Sequence, residues 1–263
     1  MSIITLTTDF GLKDHYGASL KGALWRQMPS AVVVDITHQV ALMNYAEAGY
    51  VLGAAFHEFP LGTVHLVAVG SGGSGPYNHV ALKFKGHYFV GCDNGTFSLL
   101  DPANEPDHIV QLALSGKEPS TFLARDLYLP AAIKLANGTP IESLGLPQTR
   151  LTRLMFPVSP PEPDVLKGTV VYVDSFRNLI TNISGDDFDT IGKGRLFSIE
   201  LIRLRGKETI TELHRTYGDV PIGAIVAFFN STGMLEIAIN NGPAAELLNL
   251  RQNSVVRITF EGE

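Results

Sequence analysis

Residues 3–8 (Ile-Ile-Thr-Leu-Thr-Thr) are a short run of apolar and β-branched residues, cut off by Asp9 and Gly11. That pattern predicts a buried strand ending in a turn. After Asp14, the residues Leu20, Ala23 and Leu24 recur at helical spacing, with Lys21 and Arg26 on the other face. Residues 31–36 are almost continuously apolar, as in a strand covered on both faces. The alanine-rich residues 45–57 predict a second helix, and residues 63–69 a third strand. Strand, helix, strand, helix, strand at this spacing predicts a right-handed, mostly parallel sheet. In such a sheet ligands bind beyond the carboxyl ends of the strands, and Asp9 stands there. A carboxylate repels phosphate, but it can accept two hydrogen bonds from a vicinal diol such as a ribose. The competing reading is that Asp9 caps the helix or closes an Asx turn.

The character of the chain changes between Arg150 and Lys167, where Pro157, Pro160, Pro161 and Pro163 crowd together. Prolines at this density suit neither a helix nor an inner strand and make a stiff spacer. Residues 1–155 therefore read as an α/β domain, 156–166 as a linker and 167–263 as a smaller all-β domain. In the last part, strands are predicted over residues 168–173, 179–183, 196–204, 225–229, 235–239 and 255–260. Short strands with frequent turns suggest an antiparallel barrel or sandwich.

Several loops invite chemistry. Residues 70–76 are rich in glycine, but no Lys-Ser/Thr pair follows and no helix opens, which disfavours a phosphate loop. An active-site loop or a plain connector remains. Residues 80–84 and 87–90 then read as a hairpin turning at Lys85-Gly86. Residues 91–95 (Gly-Cys-Asp-Asn-Gly) read as a tight turn. Cys92 has no basic neighbour in sequence and reads as a buried, inert thiol. Residues 120–126 lead into a helix over 127–135, ended by Asn137, Gly138 and Pro140.

The 263-residue length and 45% hydrophobic content permit substantial cores. A net charge of −6 offers no footprint for nucleic acid. A single cysteine excludes an intrachain disulfide and fits a reducing compartment. No apolar run reaches a membrane span, and the start does not read as a signal peptide. A cytoplasmic protein is expected. No histidine or cysteine spacing resembles a metal site.

Ordered stretches from both halves carry a family resemblance. They are Thr7-Thr8-Asp9-Phe10-Gly11 with Asp14, Asp35-Ile36-Thr37-His38, Gly91-Cys92-Asp93-Asn94-Gly95, and Thr121-Phe122 with Arg125-Asp126. Beyond the prolines come Val173-Asp174-Ser175-Phe176-Arg177-Asn178, Thr181-Asn182-Ile183, Asn230-Ser231-Thr232-Gly233 and Asn240-Asn241-Gly242. Over nearly its whole length the chain resembles the S-adenosyl-L-methionine (SAM) hydroxide adenosyltransferases, the SAM hydrolases related to fluorinase and chlorinase. The resemblance implies an α/β domain followed by a β-barrel domain, and a homotrimer with the site between neighbouring subunits. It implies SAM or an adenosine as substrate or ligand and no separate cofactor.

By the same resemblance, Asp9 corresponds to the acid on the ribose hydroxyls, and Asp14 and Asp174 to acids facing the methionine ammonium. Phe176 resembles a wall against the adenosyl group, Asn178 the amide on the adenine edge, Ser231 a carboxylate-binding residue and Asn241 a backbone contact near adenine. Met43 stands where a large residue packs on the ligand, and Phe122 lies in a ligand-facing loop. Asp174 and Asn178 could instead simply build a turn. The hydrolases of this family resemble one another in an Asp-Arg-His trio that activates water. Here the three places fall on Ser71 (or Gly70), Asn78 and Leu123, so the trio is unmatched. Ala124 lacks the hydroxyl that faces halide in the halogenases. Tyr77 or His79 could act as a substitute base or simply belong to a strand edge. Two functions are therefore weighed: hydrolysis of SAM at C5′ to adenosine and L-methionine, and a sensor or sequestering protein that has lost turnover. A third, attack by a less polar nucleophile near Leu123 and Ala124, is also open.

Overall fold

The structure, a computed structural model, describes residues 2–71, 77–101, 104–113, 120–154, 162, 164–202 and 206–262. Within the glycine-rich loop, residues 72–76 lie outside the described residues, as do 156–161 and 163 of the proline-rich stretch. The chain divides into two compact units, residues 1–154 and 155–263.

In the first unit, β1 (Ile3–Thr8), α1 (Tyr16–Gln27), β2 (Val32–Thr37), α2 (Tyr45–Phe56) and β3 (Val64–Ala68) alternate as the periodicity predicts. Leu20, Ala23 and Leu24 form the buried stripe of α1. The Asn44 side chain accepts the Glu47 N–H and caps α2. A hairpin follows, β4 (His79–Phe84) and β5 (His87–Cys92), turning where Lys85 and Gly86 both take positive φ, 47° and 79°. Two positive φ values in a two-residue loop match the twist of the flanking strands. Gly91 and Cys92 extend β5 rather than forming a turn; the turn starts at Asp93. Next come β6 (His108–Leu112), a π-helical turn Ala124–Tyr128, α3 (Leu129–Ala136) and β7 (Gly145–Pro147).

The seven strands form one sheet in the order β2-β1-β3-β5-β4-β6-β7. The β1–β2, β1–β3 and β3–β5 pairs are parallel; β5–β4, β4–β6 and β6–β7 are antiparallel. The sheet is therefore mixed, which corrects the expectation of a mostly parallel one. The physical reason is the tight turn at Lys85-Gly86, which folds β4 back on β5 and gives β6 and β7 an antiparallel edge to extend. One face packs α1 and α3 over Ile4, Leu6, Leu66 and Val90; the other packs α2 over Val67, Val80 and Phe89.

The second unit has β8 (Val165–Val173), β9 (Leu179–Ser184), α4 (Gly185–Gly192), β10 (Phe197–Ile202), β11 (Lys207–Ile210), β12 (Ile225–Phe229), β13 (Met234–Ile239), α5 (Ala244–Leu247) and β14 (Val255–Phe260). Its sheet runs β11-β10-β14-β8-β9-β13-β12, with every pair antiparallel. The long strand β8 pairs with β14 through residues 165–169, then with β9, and its register shifts between Val170 and Tyr172. Past β11, the His214 N–H donates to the Ala227 carbonyl of β12 at 2.9 Å, curling the sheet almost into a barrel. Leu179, Ile199, Leu235, Ile237, Val256 and Ile258 share its core. Alternation turns the next residues outward: Val226, Phe228 and Ala238 form a separate cluster with Val220.

Candidate functional site

The first candidate half-site lies at the carboxyl ends of β1 and β3. Asp9 Oδ2 accepts two backbone N–H groups, from Gly70 at 2.9 Å and from Met43 at 3.3 Å. Among the described residues Oδ1 has no partner, so one carboxylate oxygen is anchored and the other can accept. Gly70 sits at φ +60°, and a Cβ there would stand 2.7 Å from the Tyr45 ring. Only glycine fits that contact and that backbone. Met43 also adopts a positive φ, 58°, and is 54% exposed beside Asp9. A left-handed methionine is uncommon and needs its surroundings to hold it; the bond to Asp9 does so.

Phe122 belongs to an aromatic cluster with Phe10 and Tyr16, at centroid distances of 5.7 and 5.4 Å. The Arg125 guanidinium lies 5.2 Å from the Phe122 centroid. Asp14 is exposed and lines a groove of about 370 Å³ with Lys21, Trp25, Asp35 and His38. Lys21 is paired with Asp35 at 2.5 Å. His38 is buried, with Nδ1 bonded to Thr8 Oγ1 at 2.8 Å and Nε2 3.2 Å from Asp35 Oδ1.

The three places of the water-activating trio have plain structural surroundings. Ser71 is buried. The Asn78 side chain donates to Gln148 Oε1 at 3.2 Å and accepts from Gln111 Nε2 at 3.1 Å. Leu123 packs against the α1/α3 core. His79 Nδ1 lies 2.7 Å from the hydroxyl of the fully buried Tyr128, and burial holds the imidazole below its ordinary range. Burial thus favours the uncharged imidazole. Burial, with Asp93 adding to it, pushes the Cys92 thiol up to about 11, so it is inert. Asp93 accepts from Gln148 Nε2 and the Thr152 N–H, and Asn94 donates to the Val69 carbonyl.

The second candidate half-site is the loop between β8 and β9. Asp174 Oδ1 accepts the Asn178 N–H at 2.7 Å, and Oδ2 accepts Asn178 Nδ2 at 3.2 Å. Arg177 takes φ 72° at the turn and pairs with Glu246 at 2.6 Å. Phe176 is 80% exposed at the tip, whereas Asn178 is only 4% exposed. The turn and the ligand-facing reading are thus compatible: the loop builds itself from the same two polar residues. Sequence reasoning missed what lies behind Asn178. Its Nδ2 is 3.4 Å from the Tyr217 hydroxyl, which donates to Glu236 Oε1 at 2.6 Å. Glu236 Oε2 accepts Asn230 Nδ2 at 3.1 Å, so this chain leads to the turn holding Ser231. Ser231 is exposed before β13, and Asn241 is exposed after it at φ 58°. The available signal was Glu236 itself, a carboxylate inside the apolar strand Met-Leu-Glu-Ile-Ala-Ile.

No group of three His, Cys, Asp or Glu that could hold a metal occurs among the described residues. Among them, no helix is long and apolar enough to cross a membrane.

A mixed α/β unit with an anchored acid at the end of β1 is thus followed by an antiparallel β unit with a polar Asp-Asn loop. The profile of the SAM hydroxide adenosyltransferase N-terminal domain matches residues 4–145, and that of the C-terminal domain matches residues 168–257. The chain belongs to the SAM hydroxide adenosyltransferase family. It is 34% identical to an (R)-S-adenosyl-L-methionine hydrolase of Thermus thermophilus, over 98% of this chain and 100% of that one. It is 28% identical to another hydrolase of that name from Methanocaldococcus jannaschii, over 99% and 97% of the two chains. A fluorinase of an Actinoplanes species is 26% identical over 98% and 97%. A crystal structure of a conserved protein from Thermotoga maritima matches with TM-score 0.87 and 32% identity, covering 98% and 99%.

Proposed function

We propose that this protein hydrolyses SAM, attacking C5′ with water to give adenosine and L-methionine. The carrying observation is the Asp9 carboxylate, which keeps one oxygen on two backbone N–H groups and leaves the other to accept from ribose hydroxyls. Full-length similarity to proteins named (R)-S-adenosyl-L-methionine hydrolase supports the same reading.

In the reaction the water oxygen bonds to C5′ as the C5′–S bond breaks. The electron pair passes to sulfur, which leaves as a neutral thioether; one water proton stays in the new 5′-hydroxyl and the other is released to solvent. A sulfonium is already a good leaving group, so the protein's work is orientation and relief of that proton. In this reading Asp9 holds the ribose, and Asp14 and Asp174 face the ammonium. Asn178 and the Asn241 backbone meet the adenine, and Ser231 meets the carboxylate. Met43, Phe122 and Phe176 wall the ligand. No cofactor or metal takes part.

The two half-sites belong to different units, and we place them together at the contact between neighbouring subunits of a homotrimer. The single cysteine fits a cytoplasmic enzyme. Because Ser71, Asn78 and Leu123 carry neither acid, guanidinium nor imidazole, proton removal from water runs roughly 10²- to 10⁴-fold below what a positioned base supplies. Those positions are also what a non-hydrolysing binder would show, but the full-length hydrolase relatives favour turnover. Incubation with SAM followed by chromatography tests this. Adenosine growing with enzyme concentration supports hydrolysis; intact SAM with a raised melting temperature supports the binder.

A further inference from the structure

The polar chain behind Asn178 has a direction. Glu236 accepts through both oxygens, from Tyr217 and from Asn230. Asn230 is fixed the same way round, because its Oδ1 accepts the Thr232 N–H at 2.9 Å and hydroxyl at 2.7 Å. Burial, then the hydrogen bond that Tyr217 donates to Glu236, raises the hydroxyl well above its ordinary range, so it keeps its proton. With that single proton given to Glu236, Tyr217 can only accept from Asn178. Asp174 can likewise only accept. Both protons of Asn178 Nδ2 are thereby taken, at 3.2 and 3.4 Å, and its carbonyl oxygen is the atom left for a ligand.

We propose that Tyr217 and Glu236 are positioning residues that set the Asn178 amide with its carbonyl toward the ligand, making this end of the site select a 6-amino purine over a 6-oxo purine. This rests on the reading above that Asn178 meets the base. A 6-amino group donates to that carbonyl; a 6-oxo group would face it oxygen to oxygen, leaving two acceptors unpaired.

The test measures dissociation constants of adenosine and inosine by calorimetry on the full chain. The wild type should prefer adenosine by on the order of tenfold or more. Tyr217→Phe keeps the ring on Phe228, 4.8 Å between centroids, but removes the hydroxyl; the preference should fall to about threefold or less. Glu236→Gln, of equal size, offers one acceptor to two donors and should lower the preference too. Equal weakening of both nucleosides in these variants, with the ratio kept, overturns the positioning role. Asn178→Ala isolates the underlying reading: if it leaves the ratio unchanged, Asn178 does not meet the base. If Asn178→Ala collapses the ratio and the other two variants keep it, only the positioning inference fails.

Discussion

Gly70 donates its backbone N–H to Asp9 Oδ2 at 2.9 Å, across 61 residues of sequence. The bond joins the loops after β1 and β3, neighbouring parallel strands, and it aims the carboxylate before any ligand arrives. A second N–H, from Met43, secures the same oxygen from the approach to α2. The acid is thus held by the scaffold itself, where the proposed ribose contact needs it.

Asp9→Ala should lose adenosine binding. A charge-assisted pair is worth about 1.5–3 kcal/mol, so affinity should drop about 10- to 150-fold. Calorimetry with adenosine reads this directly; unchanged affinity would remove Asp9 from the ribose.

Gly70→Ala should destabilise the first unit by about 1–3 kcal/mol. The new methyl meets the Tyr45 ring at 2.7 Å on a backbone of φ +60°. Urea denaturation followed through tyrosine and tryptophan emission measures the loss, and adenosine affinity should fall with it as Asp9 loses its anchor.

The first unit should be acid-sensitive through His65. It is buried between Thr5 and His87, and desolvation, then His87, lowers it from 6.5 to about 3. The unfolded chain takes up this proton first as pH falls, so stability is lost from about pH 6.5 down toward pH 3. Between pH 7 and pH 5 this one group accounts for about 2 kcal/mol. Denaturant midpoints at the two pH values, for the wild type and for His65→Leu, check it: the variant should lose that part of the slope.

The proposal that the site is shared between subunits predicts complementation. Asp9→Ala and Asn178→Ala chains should each be nearly inactive. Refolded together in equal amounts, about a quarter of contacts would pair an intact first half-site with an intact second one. SAM hydrolysis should recover to about that fraction; no recovery would mean both half-sites belong to one subunit.

Much of this was legible from local pattern. Residues 225–229 and 255–260 appear as β12 and β14 with the expected bounds, because alternation and flanking turns act locally. Sheet direction was less legible. The Lys85-Gly86 turn announces one antiparallel pair, but nothing in His-Ile-Val-Gln-Leu tells β6 to add to β4. Helix α4 escaped notice because its eight residues begin and end in glycine; the Ser184 side chain accepting the Asp187 N–H starts it. Asp9, Asp174 and Asn178 were legible as members of ordered motifs. Tyr217 was not, since its link to Asn178 spans 39 residues and depends on the segment folded over the outer face of β12 and β13.

Hydrolysis in ¹⁸O-labelled water is the most direct measurement. Attack at C5′ predicts one heavy oxygen in the 5′-hydroxyl of adenosine and none in methionine, with the two products formed in equal amounts. Unlabelled adenosine, methylthioadenosine, or SAM recovered intact from excess enzyme would contradict it.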